Sequence, residues 1–506
     1  MTIQRRSFLR GAAAGAGALW ASGGMSRLVR TAIAGSTSRY QGHRSLVSVF
    51  LLGGNDGNQV LVPTDAERYQ LYADARPSIK LGLDELRRIS PGGMPANSFG
   101  LHPSLAHLQA RFAAGKAALV CNVGPVYLPT TKALYQDPAH PKPTNLQSHS
   151  DQQDAWSSAA PIPSRAGLGV ARSGWGGRLG GRRSGLNPQL PGAITYPAAT
   201  LLGGRRLFVA GESAPLVVSA TGELAFPTHA NADYDALRRE KMSELAGIVD
   251  GDLQTAHGDL LGVALDVSAE RARAMAEAWA ALPNRGAIEA LLSGVPVEWT
   301  LPGQMLAVLK EIVAAATPAP LGLGLKRQVL SLGLGGFDTH GNQVAVQGPL
   351  LAQLDKALQV FTDGLALITA GWPHANLPPQ STLFAMSDFG RTLVENSGGG
   401  TDHGWGNHVF VLGERVAGGV LHGRFPDLAP ETSQDTTDAR GRWIPSTSVD
   451  QYVYDLALWL GATGTISTGD LGATFPNHAA YVQYAKDHGM PGYFQRTRLA
   501  LTLADS

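Results

Sequence analysis

The side chains best suited to chemistry in this 506-residue chain are carboxylates and imidazoles that follow short apolar runs. Asp388 follows one such run, and Asp402 and His403 lie in the Gly-rich loop after it. Asp338 and His340 follow another run, and residues two apart in an extended segment face the same way and can hold one ion together. Carboxylate and imidazole ligands suit zinc, manganese or a similar divalent ion. The pattern therefore predicts a metal site.

The elements that must position these residues indicate an α/β fold. Helical patterns separate apolar runs typical of buried strands, and the order strand, helix, strand favours a parallel sheet. In open α/β sheets, sites lie beyond the carboxyl ends of the strands, where these acidic residues fall. The predicted strands cover residues 46–52, 117–123, 329–334, 381–386 and 408–412.

Three polar residues near these strands each allow two interpretations. Asp56 follows the first strand in a Gly-Asn-Asp-Gly turn, either as another metal ligand or as an Asx-type turn residue. Arg391 either holds an anionic substrate or forms an ion pair at a helix start. Asp402 either braces its loop or supports His403 by a hydrogen bond from behind. Ser148 is positioned to cap a helix.

Composition narrows the function classes. The chain has 41 Lys and Arg against 40 Asp and Glu, and no basic patch indicates nucleic-acid binding. Its 62 glycines predict many tight turns and close backbone approaches. Cys121 is the only cysteine, so no internal disulfide can form, and its apolar surroundings predict a buried, inert thiol.

The N-terminus carries a twin-arginine pattern at Arg5 and Arg6, followed by a mild apolar run. We therefore expect residues 1–34 to be an export signal rather than a basic arm, and residues 35–506 to form the periplasmic or secreted protein. Export would make the twin-arginine machinery a partner. No stretch is long enough to span a membrane. Within the α/β domain, residues from about 231 to 325 have the composition of a mostly helical insertion. The sequence does not indicate an oligomeric state.

Over nearly its whole length, the chain resembles a large bacterial family catalogued as domain of unknown function 1501. That family looks like a branch of the alkaline phosphatase and sulfatase superfamily. The resemblance implies a three-layer α/β/α alkaline-phosphatase-like core with a mostly parallel central sheet and a two-metal hydrolytic site. The motifs that carry it are the twin arginines, Leu52–Gly57, Ser148-His149, Gly174-Trp175, Phe337–His340, Ser387–Thr392 and Gly400–Gly406.

The resemblance also implies roles for single residues. Ser148 occupies the position of the superfamily's nucleophile, and Arg391 would orient the anion. Phe389 stands where the superfamily commonly has a histidine ligand, so His149 or His102 would have to replace it. The Cys-x-Pro-x-Arg motif of formylglycine sulfatases is absent. The metal ligands implied are Asp56, Asp338, His340, Asp388 and His403.

The leading hypothesis is therefore an exported hydrolase of an anionic ester, phosphate or sulfate, that uses one or two divalent metal ions. The alternative is a non-catalytic exported binding protein that keeps the fold, with or without one metal ion. A third hypothesis gives the metal a purely structural role. The leading hypothesis requires the five implied ligands to meet in one small volume at one rim of the sheet.

Overall fold

The computed structural model describes residues 42–159, 173–184, 187, 189–190, 194–195, 199–211, 216–217, 271–429, 434–436, 439–461, 471–472 and 474–493. The predicted export signal, residues 1–34, and residues 231–270 of the predicted insertion lie outside this part of the chain.

A nine-stranded sheet forms the centre of the described structure. Each of the five predicted strands is present, within two residues at either end. With strands numbered in chain order, the sheet runs β13 (Leu421–Gly423), β5 (Ala117–Gly124), β12 (Asn407–Leu412), β11 (Gln380–Ser387), β1 (Arg44–Leu51), β10 (Arg327–Leu334), β8 (Ala199–Leu201) and β9 (Leu216–Val217), while β14 (Thr447–Ser448) pairs with β5.

The sheet is mixed, and the prediction of a mostly parallel sheet is wrong. Strand β1 pairs in parallel with β10 and β11 along its whole length. Strand β12, however, is antiparallel to both β11 and β5. A parallel return from β11 would need a crossover connection, usually a helix. Residues 388–406, which join β11 to β12, contain no helix and return the chain directly.

Two small sheets accompany the central one. Strands β2 (Leu61–Pro63), β4 (Phe99–Leu101) and β3 (Arg87–Ile89) pair antiparallel, as do β6 (Gln189–Leu190) and β7 (Ile194–Thr195). Among the described residues, no helix has the length and apolar character needed to cross a membrane.

Helices occupy most of the connections between strands. The helix predicted at Ser148 is present, and a long helix follows His340. A helix near the end of the described chain begins after Ser448, which caps it in a capping box with Gln451, and Asp450 lies in its first turn. The helices are α1 (Gly57–Val60), α2 (Ala66–Ala75), α3 (Ala106–Ala113), α4 (Lys132–Gln136), α5 (His149–Ser158), α6 (Trp175–Ser184), α7 (Arg206–Val209), α8 (Arg285–Glu289), α9 (Thr300–Ala316), α10 (Gln343–Ala370), α11 (Val449–Leu460) and α12 (Pro476–Asp487), with residues 271–281 also helical and 3-10 turns at Ala290–Leu292 and Pro491–Tyr493.

Apolar clusters cover both faces of the sheet, because successive side chains of a strand point to opposite faces. Val47 and Val49 of β1 belong to a cluster that includes α9 and α10. Leu46 and Phe50 belong to a second cluster that includes α5, α6 and α11. This arrangement agrees with the predicted α/β class. The likeness to an alkaline phosphatase core stays a prediction.

Candidate metal centre

Polar residues from three distant parts of the chain meet beyond the carboxyl ends of β1, β10 and β11. Because these strands are in parallel register, Leu51 lies opposite both Leu334 and Ser387. The segments that leave β10 and β11 therefore start side by side. Helix α5 contributes its first turn to the same place, where His149 contacts both segments.

His149, Asp338 and His403 bring one potential ligand atom each to within 4.8 Å of one another. The Nε2 atom of His149 lies 3.3 Å from Asp338 Oδ2. On the other oxygen, Asp338 Oδ1, the Nε2 atoms of His340 and His403 lie at 3.0 and 3.2 Å. Those two Nε2 atoms are 2.9 Å apart. His340 thus adjoins the group of three on the Oδ1 side of Asp338, whose side chain is 45% exposed.

The second ring nitrogen of His403 and of His340 faces a hydrogen-bond acceptor. His403 Nδ1 lies 2.7 Å from the carbonyl oxygen of Gln147, and His340 Nδ1 lies 3.2 Å from Asp402 Oδ1. A carbonyl or carboxylate oxygen can only accept, so each Nδ1 must carry the proton. In the neutral imidazole, Nε2 then keeps a bare lone pair. Both lone pairs are directed toward Asp338.

Electrostatics favours the neutral form of His403. Burial lowers its pKa, and the charge of Arg391 lowers it further, against the opposing effects of the Gln147 hydrogen bond and of Asp338. Burial alone would raise the pKa of Asp338, but the nearby positive charge of Arg391 helps to bring it below its usual value. A carboxylate facing several bare imidazole nitrogens is unfavourable without a cation between them. The donor set therefore fits a divalent cation such as zinc.

Asp388 does not enter this group, although it follows β11 as predicted. It is fully buried, and His149 Nδ1 lies 2.7 Å from its Oδ2 atom. Gln153 donates to the same oxygen at 2.7 Å, and the backbone N–H of Gly53 donates to Oδ1 at 3.1 Å. Asp388 therefore lies behind His149, seen from Asp338.

Asp56 is also separate from the group. It is buried, and its two oxygens accept hydrogen bonds from Arg76 at 2.5 and 3.0 Å. Gln343 donates to it at 2.6 Å, and the Asn58 N–H at 3.1 Å. Asp56 caps α1, which corresponds to the Asx-turn interpretation of this residue. The geometry gives no support to its role as a metal ligand.

The two predicted catalytic residues lie beside the centre in different environments. The Arg391 side chain is fully buried, with Nη2 3.0 Å from Asp338 Oδ1. Burial lowers the pKa of this guanidinium, against the attraction of Asp338. Ser148 caps α5: its hydroxyl accepts from the Asp151 N–H at 3.4 Å and lies 2.5 Å from Asp151 Oδ2.

The structure distinguishes between the two proposed substitutes for the missing histidine. His149 belongs to the group, and its ring packs against Phe389 at 4.9 Å between centroids. His102 does not belong: it accepts from the Ser104 N–H, and burial lowers its pKa to about 4. His149 begins a helix instead of ending a strand, so only the Ser148-His149 motif pointed to it in the sequence.

Asp402 supports the centre by a hydrogen bond to a ligand, as one of its two interpretations predicted. The ligand that it contacts is His340 and not His403. Its other oxygen, Oδ2, lies 2.5 Å from Arg440 Nη1. Hydrogen bonds from Asn396, Arg440 and His340 outweigh burial and lower the pKa of Asp402 to about 2. The sequence did not identify Asn396, Arg440 or the carbonyl oxygen of Gln147 as parts of the site, because nothing in their local patterns marks them.

Fold and site together define an α/β protein with a candidate His/Asp metal centre. Residues 323–440 match the family model described as "Protein of unknown function (DUF1501)". The matched segment contains β10, β11, β12 and most of the centre, and the match supports the family that the motifs predicted. No curated protein matches the chain in sequence.

Proposed function

We propose that this protein is a metal-dependent hydrolase of an anionic ester, with phosphate favoured over sulfate. The observation that carries the proposal is the convergence of three imidazole Nε2 atoms on the exposed carboxylate of Asp338. Exposure matters, because a catalytic ion needs an open position for substrate. The resemblance to the alkaline phosphatase and sulfatase superfamily gives the reaction class.

His149, Asp338, His340 and His403 would hold the ion. A bound divalent ion supplies Lewis-acid polarisation of an ester oxygen and a lower pKa for a bound oxygen nucleophile. Arg391 adds a fixed positive charge directly behind Asp338. Because its side chain is fully buried, we assign it an electrostatic contribution to anion binding and not direct substrate contact.

Ser148 is our candidate nucleophile, because it lies between two residues that contact the centre. Gln147 accepts from His403, and His149 faces Asp338. Asp151 Oδ2, 2.5 Å from the Ser148 hydroxyl, would accept its proton as the Ser148 oxygen bonds to phosphorus, and the leaving alkoxide would take a proton from water as its own bond to phosphorus breaks. The N-terminus of α5 favours the negative charge that develops there. Water would then cleave the ester formed on Ser148.

We further propose that the protein is exported by the twin-arginine pathway and acts in the periplasm or outside the cell. This part of the proposal depends on the sequence of residues 1–34 alone. Cys121 is buried in β5, where burial raises the pKa of its thiol to about 12. That environment offers no support for a formylglycine-type sulfatase.

A second candidate function is non-catalytic binding of a surface polymer or partner protein with the same ion in place. The observation that favours it is the hydroxyl of Ser148, which already acts as a helix cap. A capping serine needs no chemical role.

The experiment begins with metal analysis of the full-length protein and of Asp338→Ala and His403→Ala. We expect the wild type to bind divalent metal and both variants to lose it. His488→Ala is the matched control, because His488 is exposed and bonds only locally, to the Tyr484 carbonyl. Full metal content in Asp338→Ala would contradict the proposed centre.

Turnover is then measured on generic phosphate monoesters, phosphate diesters and sulfate esters after reconstitution with zinc, manganese or cobalt. We expect metal-dependent hydrolysis that falls by a factor on the order of 10³ or more in Ser148→Ala. Metal binding without turnover under any ion would favour the binding role. Undiminished turnover in Ser148→Ala would instead remove Ser148 as the nucleophile.

A further inference from the structure

We infer that Asp388 is a positioning residue that acts through His149 in a centre for one ion, and is not itself a metal ligand. The inference rests on the proposed metal site, and its test does not depend on turnover. It concerns two carboxylates, Asp338 and Asp388, that follow the two strands flanking β1 and have different surroundings.

The two carboxylates differ in solvent exposure and in hydrogen-bond partners. Asp338 is 45% exposed, and the imidazole atoms nearest to it are Nε2 atoms. Asp388 is 0% exposed, and its described partners are all N–H donors. A cation that bound Asp388 directly would have to displace these donors in the protein interior. Removing hydrogen bonds from a buried carboxylate is unfavourable, because water cannot replace the lost donors there.

Helix spacing explains why two of these donors meet one oxygen. His149 and Gln153 are four residues apart on α5, so they lie on the same face of the helix. Both reach Asp388 Oδ2 at 2.7 Å. Helix α5 is thereby attached to the end of β11 by one carboxylate oxygen. The attachment sets the direction in which His149 points.

The other oxygen of Asp388 is held by a glycine turn. Gly53 has a φ of +109°, and a Cβ at this position would lie 2.5 Å from the backbone nitrogen of Asp338. Only glycine fits this close approach, which brings the Gly53 N–H within 3.1 Å of Asp388 Oδ1. The carboxylate is therefore fixed on both sides before any ion is considered.

The protonation of His149 follows from this arrangement. An ionised carboxylate can only accept, so the proton of a neutral His149 lies on Nδ1 and the lone pair lies on Nε2. That lone pair points toward Asp338 Oδ2, 3.3 Å away. Carboxylates that hold a metal-binding histidine in this way raise its basicity, and their loss typically weakens metal binding about 10- to 100-fold.

The number of ions follows from the same contacts. A second ion would need further open carboxylates, and Asp56 and Asp388 are the two that the family resemblance offered. Both are buried and bonded to N–H donors. We therefore expect one ion per chain.

The test is a double-mutant cycle on Zn²⁺ affinity of the full-length protein, measured by competition with a chelator. Asp388→Asn should weaken binding about 10- to 100-fold, yet still bind one ion per chain at saturation. In a His149→Ala background the same change should have almost no effect, because Asp388 acts only through His149. Independent, multiplying effects would identify Asp388 as a ligand and overturn the inference.

Co²⁺ substitution provides a readout of the ligands themselves. The visible spectrum of Asp388→Asn should keep the band positions of the wild type, whereas Asp338→Asn should shift them. Shifted bands in Asp388→Asn, or two ions per wild-type chain, would overturn the inference. Failure to hydrolyse any ester would contradict the proposed function but would not affect the conclusion about Asp388.

If Asp388→Asn fails to fold, Gln153→Ala provides the test instead. It removes one N–H donor to Asp388 and leaves every proposed ligand in place. We expect it to weaken Zn²⁺ binding by a smaller factor than Asp388→Asn, and only where His149 is present. An equal loss in the His149→Ala background would contradict the inference.

Discussion

Single aspartates of this chain show how surroundings determine the charge of a carboxyl group. Hydrogen bonds hold the pKa of Asp402 at about 2 despite its partial burial, so it is ionised at neutral pH. Asp450, in the first turn of α11, is fully buried, and burial raises its pKa to about 7 because bonds from Asn477 offset only part of the effect. The first carboxylate can balance a cation nearby, and the second destabilises the fold when it ionises.

Stability should therefore fall with pH through Asp450. Below pH 4 this carboxyl is protonated in both states. Between pH 4 and 7 the unfolded chain has released the proton that the folded chain retains, so the free energy of unfolding decreases as pH rises. Asp450→Asn removes this pH-dependent loss of stability. Relative to the wild type, the variant should become more stable as pH rises from 4 to 7, by up to roughly 4 kcal/mol. Urea unfolding at pH 4 and pH 8 tests this. A constant difference between the two proteins would contradict it.

At the scale of elements, a buried hydrogen-bond network connects the loops that carry the metal centre. The ion pair of Asp56 and Arg76 is completely buried. Arg76 also donates to the backbone oxygens of Thr392 and Leu393 in the loop after β11. Gln343, at the start of α10, donates to Asp56 and accepts from Thr401. This network joins the turn after β1, the start of α10 and the long loop that carries His403.

Changes to this network should lower stability without removing the ion. Arg76→Met leaves the Asp56 charge buried and unpaired, which should cost about 3–5 kcal/mol. Asp56→Asn leaves the Arg76 charge buried without its ionic partner and should cost a similar amount. Both proteins should still bind the ion when folded, as measured by urea unfolding and metal analysis. Loss of metal in a stably folded Asp56→Asn protein would restore Asp56 as a ligand.

The sequence predicted the strands well, because continuous apolar runs have few alternatives in a buried sheet. It also predicted that Asp338, His340 and His403 lie together. The direction of β12 was not predictable from its apolar residues, which are equally suitable for either orientation. The burial of Asp56 depends on Arg76, and no local pattern marks that pairing.

Close backbone contact between two loops should control the position of His403. A Cβ on Gly400 would lie 2.4 Å from the carbonyl carbon of His340 and 2.5 Å from the Thr339 oxygen. Gly400→Ala must therefore move the His403 loop away from His340. We expect it to weaken Zn²⁺ binding at least about 10-fold, since ligand geometry is displaced. Gly335→Ala is the control, because no atom lies within 4 Å of its Cβ position. Equal affinities of the two variants would contradict this.

At the scale of the whole molecule, the centre joins segments that are distant in the chain. His149 belongs to α5, Asp338 and His340 follow β10, and His403 precedes β12. Contacts between such distant segments are made only when the sheet is assembled. An unfolded chain therefore offers no such ligand set, and an ion that binds these residues binds the folded state preferentially.

Zinc should consequently stabilise the protein as a whole and protect all three segments together. At a free concentration about 100 times Kd, linkage predicts about 2.7 kcal/mol of added stability, which a chelator should remove. Thermal unfolding with and without Zn²⁺ measures that gain, with His403→Ala as a control that should show little of it. Hydrogen exchange should slow together in the first turn of α5, in residues 338–343 and in residues 388–406. Protection confined to one of these segments would mean that the ion does not join them, because a shared ion cannot be released from one segment while it still holds the others.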